Sequence, residues 1–259
     1  MLFPLFWVIS ASFKPSFEWF ARPPVWITTH PTLANYEGIF RNSMNFGAVI
    51  NSFIVASTGT ILAISVGYPA AYSISRGVGG SRFIMFMTII PRASPPVLLA
   101  IPMMVFYSSF GFMDSLHGLS MVYAAVTVFF VVWMLKPFID AVPRNLEEAA
   151  LMDGVSRYKT PFKIVFPLIR GGLAATAVLV FILNWGEFLF ALMLTRADAR
   201  TVPVQLVTIS ALGGTPGNEG ELAALSSLLI IPFIASVYFL LKRLLKGFTF
   251  GVFAQNSIR

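Results

Sequence analysis

The sequence contains no cysteine and only two histidines, His30 and His117, in 259 residues. Without thiols there is no disulfide, no zinc–thiolate site and no cysteine nucleophile. Both histidines fall outside the apolar stretches and neither has a ligand-type companion at useful spacing, so no metal site is expected. Charge is scarce as well. Asp, Glu, Lys and Arg make up 11% of the chain, against roughly 25% in a soluble domain. The clustered acids, histidines or metal ligands of a membrane-embedded enzyme are missing too, so the chain is expected to be non-catalytic and to carry no cofactor of its own.

What is present is apolar bulk, 57% of all residues. Water is the wrong solvent for such a chain. The apolar stretches fall at 1–13, 46–74, 83–112, 119–135, 171–194 and 222–241, and a helix needs about 20 residues to cross a hydrocarbon core of roughly 30 Å. The expectation is an all-α polytopic protein, one transmembrane domain over 1–259 with about six spans. The first stretch is short: thirteen residues of helix reach only about 20 Å. With no basic leader and no small-residue cleavage site it does not read as a signal peptide, and Met1 is expected to lie inside an incomplete first span.

A net charge of +7 suggests nucleic acid in a soluble protein, but here the basic residues report topology. Twelve fall on one side of the apolar stretches: Arg76 and Arg82, six between Lys136 and Arg170, then Lys242, Arg243, Lys246 and Arg259. Five fall on the other, Lys14, Arg22, Arg41, Arg196 and Arg200, and Arg92 alone lies within an apolar stretch. The richer side reads as cytoplasmic, with both termini on it and no nucleic-acid partner. The long stretches 14–45 and 195–221 then read as external loops, either contacting a soluble partner or simply solvated.

The only long cytoplasmic stretch, 136–170, is too polar to span and too patterned to be disordered. It predicts two short helices. Asn145 with Glu148 three residues later forms a variant capping box, and Glu147 and Glu148 suit a positive helix end. Ala149 and Ala150 propagate the helix, Gly154 after Asp153 supplies a left-handed terminus, Ser156 caps a second helix, and Pro161 and Pro167 limit its length. The first helix is expected to expose both acids beside an apolar patch suited to a partner's groove; a plain solvated loop is the alternative. The stretch 154–160 is a near miss to a phosphate-binding loop, but Tyr158 stands where a glycine is required, so Lys159 and Thr160 read as surface residues.

Glu148-Ala149-Ala150, three residues, Gly154, nine residues, then Ile164-Val165-Phe166-Pro167 resembles the EAA signature of permease subunits of binding-protein-dependent ABC importers, with Phe166 in place of the usual Leu. The likeness extends over nearly the whole chain and is similar to the second permease of maltose-type carbohydrate systems. It is carried by Pro4 to Ser10 with Ser12-Phe13-Lys14, by Asn51-Ser52, by Ala70 to Arg76 and by Asn184 to Leu192. Departures are the short N-terminus, Gly186 where Asn commonly follows Trp, and a tail without the usual Lys-Gly ending.

The resemblance implies a non-catalytic permease forming half of a sugar pore in a bacterial or archaeal cytoplasmic membrane. It implies a second homologous permease, two cytoplasmic ATPase subunits that bind ATP and Mg, and an extracytoplasmic solute-binding protein. It also implies that Glu147, Glu148, Ala149, Ala150, Asp153, Gly154, Ile164 and Pro167 couple the chain to the ATPase. Polyols and sugar phosphates stay open as solutes. A secondary transporter usually shows internal repeats and more spans, neither of which is found.

Two charges lie within apolar stretches. Arg92 sits about 15 Å in from Arg82, near mid-membrane, where a charge demands a partner or water. Glu187 lies farther along the fifth stretch, and a direct pair with Arg92 has to bridge roughly 9 Å of depth. Arg92, Asn184, Trp185 and Glu187 are candidates for the translocation path, or else polar packing between helices.

Overall fold

In the computed structural model of the chain, residues 3–77, 80–83, 85–87, 95–211 and 218–256 are described, with side chains as far as 238. Among them every regular element is helical. The elements are α1 (Phe3–Ser12), a single 3-10 turn (Ser16–Glu18), α2 (Ala34–Arg41), α3 (Ser43–Arg76), α4 (Pro96–Phe110), α5 (Leu116–Asp140) and α6 (Arg144–Met152). A π-turn over Pro161–Val165 and a short helical turn follow, then α7 (Arg170–Trp185), α8 (Leu189–Leu194), α9 (Val202–Ala211) and α10 (Glu219–Asn256).

Three described helices are long and apolar enough to cross a membrane, Ser43–Arg76, Leu116–Asp140 and Glu219–Tyr238. Pro161–Leu168 and Arg170–Trp185 together reach that length and apolarity as a pair bent by 78°. Phe3–Ser12 and Pro96–Phe110 are apolar but shorter. Large apolar side chains such as Ile61, Val66, Leu98, Ile101 and Val105 are exposed along these helices, as lipid-facing residues are.

The elements depart from the predicted ranges in instructive ways. Helix α3 starts at Ser43 and ends at Arg76, and α5 runs from Leu116 to Asp140, because hydropathy marks where lipid begins whereas hydrogen bonding continues into polar flanks. The stretch expected as one helix over 171–194 is broken at 186–188, between α7 and α8. The stretch 195–221, expected as a loop, contains α9, a largely apolar helix whose ten residues are too few to read as a span. The last helix begins at Glu219 rather than 222.

The described residues fall into two compact units, drawn from 1–56, 100–119 and 185–235 and from 57–99, 120–184 and 236–259. In the first, Ile39, Ala48, Val202, Ala224 and Leu225 form an apolar core. A polar network lies nearby. Gln205 Nε2 donates to Asn45 Oδ1 at 2.8 Å, Asn45 Nδ2 donates to Glu221 Oε2 at 3.2 Å, and the Val202 N–H donates to Ser52 Oγ at 2.8 Å. These bonds anchor the start of α9 and satisfy groups too costly to bury alone.

The second unit is built on Tyr68, Ala71, Val131, Leu135, Ile139 and Val165. Gly67 sets its tightest approach: a Cβ there would meet Val131 Cγ1 at 2.6 Å, so α3 and α5 pack at a distance only a glycine permits.

Candidate functional site

Tyr68, Tyr72 and Arg76 follow one another at four-residue spacing on α3 and so form a stripe along one face. All three reach into the stretch 136–170. Arg76 Nε donates to Glu147 Oε1 at 2.7 Å, and Tyr72 OH donates to Glu147 Oε2 at 2.5 Å. Arg76 Nη2 also donates to the carbonyls of Ile139 and Val142, both at 3.1 Å, at and just beyond the C-terminal end of α5, where a cation is favoured. The Arg76 and Glu147 side chains are each only 9% exposed, so the ion pair is largely withdrawn from water and held by further hydrogen bonds, the condition under which such a pair fixes a geometry. Tyr68 OH donates to the Pro161 carbonyl at 2.5 Å while its ring meets Phe162 and Phe166 edge-on. The end of α3 therefore holds α6 through Tyr72 and Arg76 and the π-turn through Tyr68.

Helix α6 begins two residues earlier than the sequence predicts. Its N-cap is Pro143, with extended backbone and no side-chain cap, so the Asn145–Glu148 capping box does not form. Pro143 pre-sets the backbone at the boundary, and Arg144 is already helical. Its C-terminus matches expectation. Gly154 adopts φ +83°, its N–H donates to the Leu151 carbonyl at 3.1 Å, and the Val155 N–H donates to Ala150 at 2.9 Å, a Schellman closure after Asp153.

The two acids part company. Glu148 and Ala149 are exposed, whereas Glu147 and Ala150 are buried, so the helix presents one carboxylate rather than the two expected. Met152, 88% exposed, enlarges that outward face, and Tyr158, 90% exposed, lies beyond it in the turn after Gly154. Ile164 is half-buried and Pro167 exposed. Pro167 does not end the second helical segment: it lies within Phe166–Leu168, and the chain bends at Ile169 into α7. Ser156 caps through its carbonyl, which accepts from the Lys159 and Thr160 N–H groups. Lys159 is exposed as expected, but Thr160 is buried, its hydroxyl turned back to the Ser156 carbonyl at 3.2 Å. Between α3 and α6 lies a cleft of about 880 Å³ lined by Tyr72, Arg76, Glu147, Arg157, Tyr158 and Phe162 among others.

The four membrane candidates have separate surroundings. Arg92 lies outside the described residues. Asn184 is buried, its Nδ2 donating to Thr60 Oγ1 at 3.2 Å and its Oδ1 left without a hydrogen-bond partner. Trp185 is buried, with Nε1 donating to the Leu229 carbonyl at 3.0 Å. That carbonyl adjoins Leu228, whose own intrahelical donor Pro232 removes. Glu187 accepts from the N–H groups of Phe190 at 2.9 Å and Ala191 at 3.2 Å, placing its charge at the N-terminus of α8. Asn184 and Trp185 are thus each hydrogen-bonded to another helix, and the Glu187 carboxylate meets N–H groups in the first turn after the break at 186–188.

Sequence reasoning missed Asp114 altogether. It links α4 to α5 with φ +52°, and its carboxylate accepts from four successive backbone N–H groups, Arg196 to Ala199, at 2.9 to 3.2 Å. Burial opposes its ionisation, but the four donors outweigh that and bring its pKa from 3.8 down to about 2. A lone Asp after Gly-Phe-Met carries no local sign of partners eighty residues away.

Among known proteins, residues 59–249 match the family described as binding-protein-dependent transport system inner membrane component. The chain is 31% identical over 252 residues to the trehalose transport system permease protein SugB of Mycobacterium tuberculosis, covering 96% of this chain and 91% of that protein. It is 32% identical over 254 residues to the trehalose/maltose transport system permease protein MalG of Thermococcus litoralis, covering 96% and 90%. In fold it is similar to a chain of a bacterial ABC transporter involved in the import of alginate, at a TM-score of 0.76 and 20% identity over 93% of this chain and 90% of that one. The chain is therefore a multi-pass membrane protein and belongs to the family of inner-membrane components of binding-protein-dependent transport systems.

Proposed function

We propose that this non-catalytic permease forms half of the translocation pore of an ATP-driven carbohydrate importer, beside a second homologous permease. Two cytoplasmic subunits binding ATP and Mg drive it, and an extracytoplasmic binding protein delivers the solute. Both termini lie in the cytoplasm in this reading, which the twelve-to-five split of basic residues supports. The solute class is supported by relatives whose names specify trehalose and maltose.

The observation that carries the coupling role is the asymmetry of α6. One face is fixed to α3 through Glu147 and Arg76, and the opposite face presents Glu148, Ala149 and Met152 outward. A helix fixed on one face transmits a push received on the other without absorbing it in its own hinge. Seating in a groove of the ATPase subunit, α6 passes closure of the ATPase pair to α3 through Arg76.

The test is Glu148→Arg in the reconstituted complete transporter. Solute-stimulated ATP hydrolysis is expected to fall while membrane insertion and thermal stability stay as in the parent. Unchanged stimulation would remove α6 as the coupling element. The solute class is tested separately, by uptake of trehalose and maltose against a polyol and a sugar phosphate.

A further inference from the structure

The stretch 14–31, expected to be an external loop, folds back along α1. Its base is closed by the Thr32 N–H donating to the Phe13 carbonyl at 2.9 Å and by Asn35 Nδ2 donating to the carbonyls of Ser12 and Lys14. Its far side is fixed by Lys14, which is buried, donates Nζ to the Val25 carbonyl and lies 4.2 Å from the Trp7 ring centroid. Trp26 then packs on α1 itself, its ring centroid 5.2 Å from that of Trp7 and 6.2 Å from that of Phe3. Counted back from Ser12, Trp7 and Phe3 lie roughly 8 and 14 Å along the helix. The loop thus returns to the level of residues that α1 carries within its apolar length.

The outward side of this loop is rich in large apolar side chains, with Arg22 and His30 also exposed on it. Phe17, Phe20, Trp26 and Ile27 are all 60% exposed or more, and Trp26 packs against Phe3 on α1, exposed to a similar degree. In addition, Pro15, Pro23, Pro24 and Pro31 remove four backbone donors from the segment. Non-helical backbone is intolerable in hydrocarbon because its N–H groups find no acceptor, and each proline lowers that cost. Bulky aromatics with few backbone donors suit the headgroup layer, where Trp collects, and do not suit helix–helix contacts, which favour small residues.

We propose that residues 14–31 form an interfacial hairpin whose partner is phospholipid, seated in the headgroup layer at the Ser12 end of α1 and anchoring that helix. The proposal needs only the membrane location of the family and no identity of the solute. Because the chain has no cysteine, Phe20→Cys and Ile27→Cys each give it a single site for a nitroxide label, and Ala197→Cys, on an exposed turn, gives a water-facing reference.

The complete transporter, with other subunits free of reactive thiols, is reconstituted in vesicles of phosphatidylethanolamine and phosphatidylglycerol without solute or ATP. Collisions with oxygen, which favours lipid, are compared with collisions with an aqueous nickel chelate. The oxygen-to-nickel ratio at 20 and 27 is expected to exceed that at 197 several-fold. Nickel access equal to that at 197 would overturn the proposal in favour of a solvated loop. Suppression of both collisions would overturn it in favour of a protein partner.

Discussion

Arg76, the last residue of α3, and Glu147, in the first turn of α6, form a largely buried ion pair, with Nε donating to Oε1 at 2.7 Å. The two are seventy-one residues apart in sequence, and no periodicity links them. Removing one partner strands the other. Arg76→Met or Glu147→Met alone is expected to cost about 3 to 5 kcal/mol, whereas the double substitution recovers most of the loss. A double-mutant cycle on thermal unfolding of the purified protein checks this; additive losses would show that the pair carries no specific energy.

Gly154 has φ +83° and open space around its absent Cβ, so any penalty on substitution is one of backbone conformation rather than crowding. Gly154→Val is expected to cost about 1 to 2 kcal/mol and to reduce coupled ATP hydrolysis. Gly154→Asn, which tolerates the left-handed region, is expected to retain most of it. Equal activity in the two variants would remove the left-handed turn as the requirement.

Met152 and Tyr158 are almost wholly exposed, so truncating them leaves the fold of the chain intact. If α6 docks as proposed, Met152→Ala and Tyr158→Ala each weaken association with the ATPase subunit roughly fivefold to tenfold, the scale of an interface anchor. Titrating purified ATPase subunit onto the permease pair in detergent measures it, with the exposed Asn145→Ala as a neutral control.

Asp114 titrates below its unfolded value. Its contribution to stability is therefore complete above about pH 4 and drains away as the pH falls toward 2, where the folded group takes up its proton. Asp114→Asn is expected to lower thermal stability at neutral pH, and the gap from the parent protein is expected to narrow below about pH 4. A gap independent of pH would show that the charge is not what holds the turn at Arg196 to Ala199.

The indole of Trp185 is committed to the Leu229 carbonyl. Trp185→Phe is expected to cost about 1 kcal/mol of stability and to leave the solute concentration for half-maximal uptake unchanged. A shift in that concentration without loss of stability would return Trp185 to the translocation path.

What the sequence made legible was whatever repeats or lies close together. Apolar runs exposed the membrane class, and Asp153-Gly154 marked a helix end through a backbone preference of its own. Glu147 and Glu148 are adjacent and chemically alike, and only the distant Arg76 and Tyr72 decide which of them is buried. Asn145 read as a cap until Pro143, two residues earlier, took the boundary. The break at 186–188 was hidden because Gly186, Glu187 and Phe188 interrupt an apolar run without a proline. The fold of residues 14–31 along α1 was hidden because prolines and aromatics read as an ordinary loop when depth is unknown.

The break has a consequence for how such a chain is made. The donors that meet the Glu187 carboxylate belong to Phe190 and Ala191, three and four residues further along the same strand of polypeptide. They leave the ribosome within moments of the charge they serve, and they accompany it through insertion. Because both donors are local, these two bonds of Glu187 need neither a distant helix nor another subunit to supply them.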